Sequence, residues 1–311
     1  MISIHTPVMA ATTIRYLLTK PAGVYVDGTL GTGGHLSALS AKLHPTAFLI
    51  GIDADAKAVE YCQKNLNLQQ KTRFVNANFE ELMRICYRAG FTQVDGILLD
   101  LGLSSFALDN PQRGFAYASD GPLDMRFSTT NTLTAADFIN DSDLPSLIRV
   151  FTEFGEERQA KQIARQIIKH RAQNRIQTTR QLAEIIKTCV AGSYQSKTLS
   201  RIFQAIRINI NRELIVLKSV LAQAVDLLAP GGHLVILTYH SLEDRIVKQY
   251  FKTESSDCLC PPEFPVCQCQ HKARLKILTP KPITAEKAEI QSNPRARSAK
   301  LRAVEKIRVV A

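Results

Sequence analysis

Two carboxylates and a glycine-rich loop are spaced to hold a small charged ligand. The stretch Asp27-Gly-Thr-Leu-Gly-Thr-Gly-Gly-His35 follows the apolar run Val24-Tyr-Val26 and opens a helical pattern from about His35. Glycines there permit a tight turn and let backbone N–H groups come close to a ligand. Asp53 ends the next apolar run, Phe48-Leu-Ile-Gly-Ile-Asp53, twenty residues past Gly33. An acid in that place suits the two hydroxyls of a ribose. Asp100 ends a later run, Val94-Asp-Gly-Ile-Leu-Leu-Asp100, where it would meet the ligand's reactive end. Together these features point to an adenosine-containing cofactor. The dinucleotide pattern requires a third glycine at position 36, and Leu36 stands there. A pyrophosphate therefore fits poorly, and the zwitterionic methionine tail of S-adenosylmethionine fits better. Two rival readings are a nicotinamide oxidoreductase, which that missing glycine opposes, and an RNA-binding assembly factor without turnover. Intact Gly33, Asp53 and Asp100 weigh against the second.

The elements that must position these residues follow a βαβ rhythm. Strands are expected at Val24–Asp27, Phe48–Asp53, Arg73–Asn78, Val94–Asp100 and His233–His240, the last preceded by the turn Ala229-Pro-Gly-Gly232. Each is a near-continuous apolar run, as strands covered on both faces by helices should be. This is an α/β chain with a doubly wound parallel sheet. Between about Phe106 and Ser200 no strand is expected. Helical patterns occupy 134–140, 144–154, 156–172 and 179–190, Thr134 with Asp137 and the pair Thr178-Thr179 mark helix starts, and one long amphipathic pattern runs from about Leu199 to Leu228. A helical domain inserted between strands explains this order. The length, 311 residues, exceeds the roughly 250–300 at which one core stops growing.

The 39 Lys and Arg outnumber the 28 Asp and Glu, giving a net charge of +11 that favours a polyanionic partner, nucleic acid first. No apolar run approaches the roughly 18 residues of a membrane span, and no export signal precedes the first strand. Pro280–Pro294 reads as loop. Arg295–Arg308 carries Arg295, Arg297, Lys300, Arg302, Lys306 and Arg308 against Glu305 alone, either an RNA-facing segment or a solvated helix face. Cys62, Cys86 and Cys189 lie scattered in apolar surroundings, which fits a reducing cytoplasm. Cys258-Leu-Cys260 and Cys267-Gln-Cys269, with His271 close by, hold enough thiolates for one zinc, but C-x-C is tighter than the usual C-x2–4-C. No metal is assigned on this basis.

The motifs Asp27–His35, Gly96–Ser105, Asp120-Gly-Pro-Leu-Asp-Met-Arg126, Phe154-Gly-Glu-Glu-Arg158, Phe203-Gln-Ala-Ile-Arg207, His240-Ser-Leu-Glu-Asp-Arg-Ile-Val-Lys248 and Asn293-Pro-Arg-Ala-Arg-Ser298 run in order nearly end to end. In them the chain resembles the bacterial 16S ribosomal RNA (cytosine-N4)-methyltransferase family, RsmH/MraW. The resemblance implies a class I methyltransferase fold, Rossmann-like, over residues 1–105 and 206–311, with an inserted all-helical substrate-recognition domain over 106–205. It also implies methyl transfer from S-adenosylmethionine to the exocyclic N4 of a cytidine in the decoding region of the small ribosomal subunit. The partner implied is 16S rRNA; no membrane is involved, and a homodimer is allowed. Cofactor contacts carry over to Gly33, Gly34, His35, Asp53, Phe79 and Asp100. The family usually has Gln where this chain has Ala107, and that contact is not carried over. Cytosine N4 is a poor nucleophile, so an acceptor for its amino hydrogens is needed. The candidates are Asp100, Ser104 and Ser105, then His240 and Asp244, with His5, Asp124 and Arg126 shaping an RNA pocket around a base drawn out of its stack.

Overall fold

The structure, a computed structural model, describes residues 6–103, 108, 110–128, 131–261, 263–264 and 266–308. The chain divides into two compact units, Met1–Gly102 with Val216–Ala311, and Leu103–Ile215.

The first unit is built on one sheet. Strands β1 (Val24–Asp27), β2 (Phe48–Asp53), β3 (Lys71–Asn76) and β4 (Val94–Asp100) alternate with helices α1 (Ala10–Leu17), α2 (Gly34–Ser40), α3 (Ala56–Asn65) and α4 (Leu82–Arg88). The chain returns through α10 (Glu213–Leu227) into β5 (Leu228–Thr238) and α11 (Ser241–Glu254), then closes with β6 (Leu275–Ile277), β7 (Ile283–Thr284), α12 (Lys287–Ser292) and β8 (Lys300–Lys306). Sheet order is β3-β2-β1-β4-β5-β8-β6, with β7 paired to β8. The first five strands are parallel, and β8 runs antiparallel between β5 and β6. Chain direction across the sheet reverses between β1 and β4, so the carboxyl ends of those neighbours frame the crevice where such sheets bind ligands. Separate apolar clusters cover the two faces: Ile50, Ile97, Leu99, Val220 and Ile236 on one, Tyr25, Leu36, Leu49, Leu98 and Leu237 on the other.

Three stretches differ from the expectation drawn from the sequence. Strand β5 begins at Leu228, so Pro230-Gly-Gly232 lies inside it as a register shift opposite Val94/Gly96, with Gly231 at φ +81°. The span 280–294 holds β7 and α12 rather than loop alone. The basic tail is neither an exposed arm nor a helix face: Lys300–Lys306 is an inner strand whose Leu301, Arg302, Ala303 and Val304 are buried. Arg302 is tolerated there because its Nε lies 2.6 Å from Asp244 Oδ1 and its Nη2 lies 3.3 Å from Oδ2, while Lys300 Nζ approaches the same carboxylate at 3.3 Å. Burial resists ionisation of Asp244, but the two cations hold its carboxyl below the usual carboxylate range.

The second unit is helical: α5 (Ala135–Asp141), α6 (Leu144–Glu153), α7 (Ala160–Arg171), α8 (Thr179–Lys187) and α9 (Gly192–Asn211) enclose a core containing Leu123, Met125, Phe138, Phe151, Ile163 and Ile206. Among its described residues the only β pairing is an isolated bridge, Pro122 with Thr178. Capping boxes start α5 at Thr134 and α8 at Thr178. The amphipathic pattern expected to be one helix from Leu199 is two, because Arg212 adopts φ +52°. Asn211 stabilises that break by accepting from Phe127 N (2.8 Å) and donating to Met125 O (2.8 Å).

Arg302 and Asp244 are nearly enclosed, with side chains 8% and 13% exposed, so removing one partner strands a buried charge. Arg302→Ala is expected to cost about 3 kcal/mol of unfolding free energy in denaturant titration. A cost below about 1 kcal/mol would mean the pair behaves as a solvated surface contact.

Candidate active site

The loop after β1 is shaped by backbone bonds to the ends of its neighbours. Gly28 N donates to Leu98 O (2.9 Å) on β4, and Leu30 N donates to Ile52 O (2.9 Å) on β2. Gly31 and Gly33 sit at φ +51° and +76°, where a side chain would be strained. A Cβ on Gly33 would also fall 2.4 Å from Leu66 Cδ1. Asp53 secures the turn: one oxygen accepts from Gly31 N (2.7 Å), the other from Asp55 N (2.8 Å) at the start of α3. Phe79 begins a 3-10 turn whose cap is Asn78, and its Cβ lies 3.5 Å from the point a Gly28 Cβ would occupy. Gly34 opens α2, and a Cβ there would press on the Pro7 ring at 3.1 Å.

At the crevice the carboxyl ends of β1 and β4 bring two acids to His35. Asp100, at the end of β4, takes the Tyr239 hydroxyl on Oδ1 (2.7 Å), and its Oδ2 lies 3.4 Å from His35 Nε2. Asp27, at the end of β1, is buried; its Oδ1 accepts from Thr29 N (3.0 Å) and, more loosely, from the Thr29 hydroxyl (3.4 Å). Thr29 Oγ1 also accepts from Asp100 N (2.6 Å), so one threonine ties both strand ends together. A third acid, Glu289 on α12, accepts from Met9 N (2.5 Å).

Burial pushes Asp27 up to about 6, against the pull of His35 and of the Thr29 amide; the charges of Asp100 and Asp53 add to the rise. Burial alone would lower His35, but Asp100, Asp27 and Glu289 together raise it above the ordinary 6.5. Tyr239 is driven far up by burial and by the Asp100 charge, so its hydroxyl stays a donor. Neither nitrogen of the buried His35 ring has an aligned hydrogen-bond partner among the described residues. An imidazolium with unused donors beside two carboxylates fits a zwitterion: the carboxylate end to His35, the ammonium end to Asp100 and Asp27. The residues present therefore suit the methionine tail of S-adenosylmethionine.

Of the residues singled out from sequence, Gly33, Gly34, His35, Asp53, Phe79 and Asp100 all lie at or just beyond the carboxyl ends of β1 to β4. His240 instead caps α11: its Nδ1 accepts from Glu243 N (3.4 Å), and its Nε2 lies 3.0 Å from Glu243 Oε1. Asp244 is engaged by Arg302 and Lys300 as described. In the helical unit Asp124 and Arg126 grip each other through Nε (2.8 Å) and Nη2 (2.7 Å) around Met125, which sits at φ +59°. His5, Ser104, Ser105 and Ala107 lie outside the described residues. Sequence reasoning missed Asp27, Thr29, Tyr239 and Glu289. A signal existed for Tyr239, which directly follows β5 on the edge where Asp100 ends β4.

A raised pKa means the His35 cation is held to a higher pH than an ordinary imidazole and is lost as pH rises through the raised value. Affinity for S-adenosylmethionine is therefore expected to fall as pH rises through that raised value, and His35→Asn to flatten that dependence, read by calorimetric titration. A wild-type profile already flat across that range would remove the imidazolium from ligand binding.

Comparison with known proteins places this geometry. Residues 2–307 match the model of the MraW methylase family. A protein of Carboxydothermus hydrogenoformans named Ribosomal RNA small subunit methyltransferase H is 47% identical over 307 residues, covering 97% of this chain and 98% of its own. Proteins of the same name from Geobacter sulfurreducens and Halothermothrix orenii are 46% and 44% identical, covering 97% of this chain and 99% and 98% of their own lengths. With a match that spans nearly its whole length and relatives this similar, the chain belongs to the MraW methylase family.

Proposed function

We propose that this protein transfers a methyl group from S-adenosylmethionine to the exocyclic N4 of a cytidine in the decoding region of 16S rRNA. The observation that carries the reading is Asp100, fixed by Tyr239 at the end of β4 with its other oxygen 3.4 Å from His35 Nε2. When bound, S-adenosylmethionine supplies an electrophilic methyl on its sulfonium centre. The glycine loop with Asp53 and Phe79 would hold the adenosine part, and His35 the methionine carboxylate.

The amino lone pair of cytosine is delocalised into the ring, so attack by N4 demands alignment and an acceptor for the positive charge that develops on its hydrogens. Tyr239 occupies Asp100 Oδ1 and thereby turns the carboxylate to one orientation. Each carboxylate oxygen keeps further lone pairs, so Asp100 can accept from the amino group without a change of rotamer. His240 and Asp244 serve this arrangement at a distance, by setting the start of α11 and its tie to β8. The nicotinamide alternative gains nothing from the structure, since Leu36 is fully buried in the core.

We assign substrate recognition to the helical unit, on the strength of Lys161, Arg165 and Lys169, which recur every four residues on the exposed side of α7. Replacing all three by Gln is expected to weaken binding to 16S rRNA and to lower the salt slope of binding by about 2. An unchanged slope would move RNA contact elsewhere on the protein.

The decisive assay supplies labelled S-adenosylmethionine with small subunits or with naked 16S rRNA and identifies the modified nucleoside by mass spectrometry. N4-methylcytidine is the expected product, and Asp100→Asn is expected to lower kcat at least ~100-fold. Methylation at a different base or atom would refute the N4 assignment. Full turnover by the Asn variant would show that the acceptor lies elsewhere.

A further inference from the structure

The loop between α11 and β6 is pinned at both ends but has little to hold its middle. At one end Arg274 Nε bonds Glu254 Oε2 (2.6 Å), its Nη1 bonds Asp226 Oδ1 (2.7 Å), and Arg274 N donates to Glu254 O (2.8 Å). Between these anchors Leu259, Phe264 and Val266 are 48%, 47% and 71% exposed, so no apolar core orders the segment. Yet four cysteines converge there. Cys258 Sγ lies 3.3 Å from Cys267 Sγ and 3.8 Å from Cys269 Sγ; Cys267 and Cys269 sulfurs are 3.6 Å apart, and all four, Cys260 included, fall within 4.8 Å of one another.

We propose that Cys258, Cys260, Cys267 and Cys269 bind one zinc ion in a closed structural site. Four sulfurs about 2.3 Å from a tetrahedral zinc stand about 3.8 Å from each other, close to the spacing seen. Disulfides need sulfurs about 2.05 Å apart, and all four thiols are free. A polynuclear iron–sulfur cluster interposes several metal and sulfide ions and would spread its ligands farther than this group allows.

Backbone geometry supplies an independent observation. Leu259 N points at Cys269 Sγ (3.2 Å), Cys260 N at Cys258 Sγ (3.4 Å) and Gln268 N at Cys260 Sγ (3.2 Å). Each arm thus turns an amide N–H toward a sulfur, the polarity that favours thiolate charge. The three-residue Cys-x-Cys arms, tighter than the usual zinc spacing, still bring all four sulfurs within 4.8 Å of one another. Binding releases four thiol protons to solvent and leaves a net charge of −2 on the centre. With all four positions filled by protein sulfur, no open position is left for chemistry, so the ion's work is to fold the loop.

Metal analysis of the full chain purified from zinc-supplemented cells is expected to find one zinc per chain. The variant with all four cysteines replaced by Ser is expected to hold none while still binding S-adenosylmethionine, which shows the rest of the fold intact. Wild-type protein loaded with cobalt(II) in place of zinc is expected to show the strong thiolate charge-transfer and visible bands of a tetrahedral sulfur site, a readout that needs no variant. Protein without metal whose four loop thiols react freely before and after added zinc would overturn the proposal. So would two disulfides found by peptide mass, or iron in place of zinc.

Discussion

One buried imidazole surrounded by carboxylates sets the terms for the rest of the active unit. Desolvation disfavours every charge in the group, and three acids left alone would repel each other. The His35 cation offsets that repulsion, which is why its proton is held more tightly than usual, while burial pushes Asp27 up to about 6 against the pull of that cation. Such an arrangement survives only if the backbone leaves it no escape. The parallel pairing of β1 with β4 fixes where Asp27 and Asp100 stand, Thr29 laces the two strand ends, and Tyr239 holds Asp100 from the β5 side. Much of the unit's architecture can be understood as the means of keeping like charges in one place.

The sheet extends that logic outward. A parallel sheet ending at β5 would leave an edge, and β8 covers it in the antiparallel sense. The strand brings a buried Arg302, and α11 supplies Asp244 to meet it. Because α11 is capped by His240, one residue after Tyr239, the Arg302–Asp244 ion pair and the hydroxyl at the crevice draw on one continuous stretch of chain. Side chains distant from the chemistry thereby influence its alignment.

Where each feature depended on local chemistry, the sequence was a good guide. The strands β1, β2 and β4 are near-continuous apolar runs ending in Asp because helices bury both faces, and the caps at Thr134 and Thr178 follow from side-chain oxygens three residues ahead of their partners. Failures arose where a tertiary contact overrode a local signal. Pro-Gly-Gly reads as a turn, yet a register shift absorbs it within β5. The break at Arg212 depends on Asn211 reaching residues 125–127, which no periodicity reveals. The tail's charges hid a strand because one arginine in it is neutralised from another element. In the site, the glycine loop with Asp53 and Asp100 was legible as a motif and Tyr239 was signalled by its place after β5, whereas Asp27, Thr29 and Glu289 gain their roles only by approach in space.

Glu289 has a consequence in time as well as in space. It bonds the backbone of Met9 while Asn293 bonds Thr6 O (3.0 Å), so residues at least 280 positions apart in the chain meet, and the Glu289 charge acts on His35. The acid that helps hold this histidine charged lies 254 residues further along the chain than His35 itself. During synthesis the glycine loop therefore exists long before the contact that completes its charge balance. A nascent chain carries one half of its binding pocket with the closing contact still unmade.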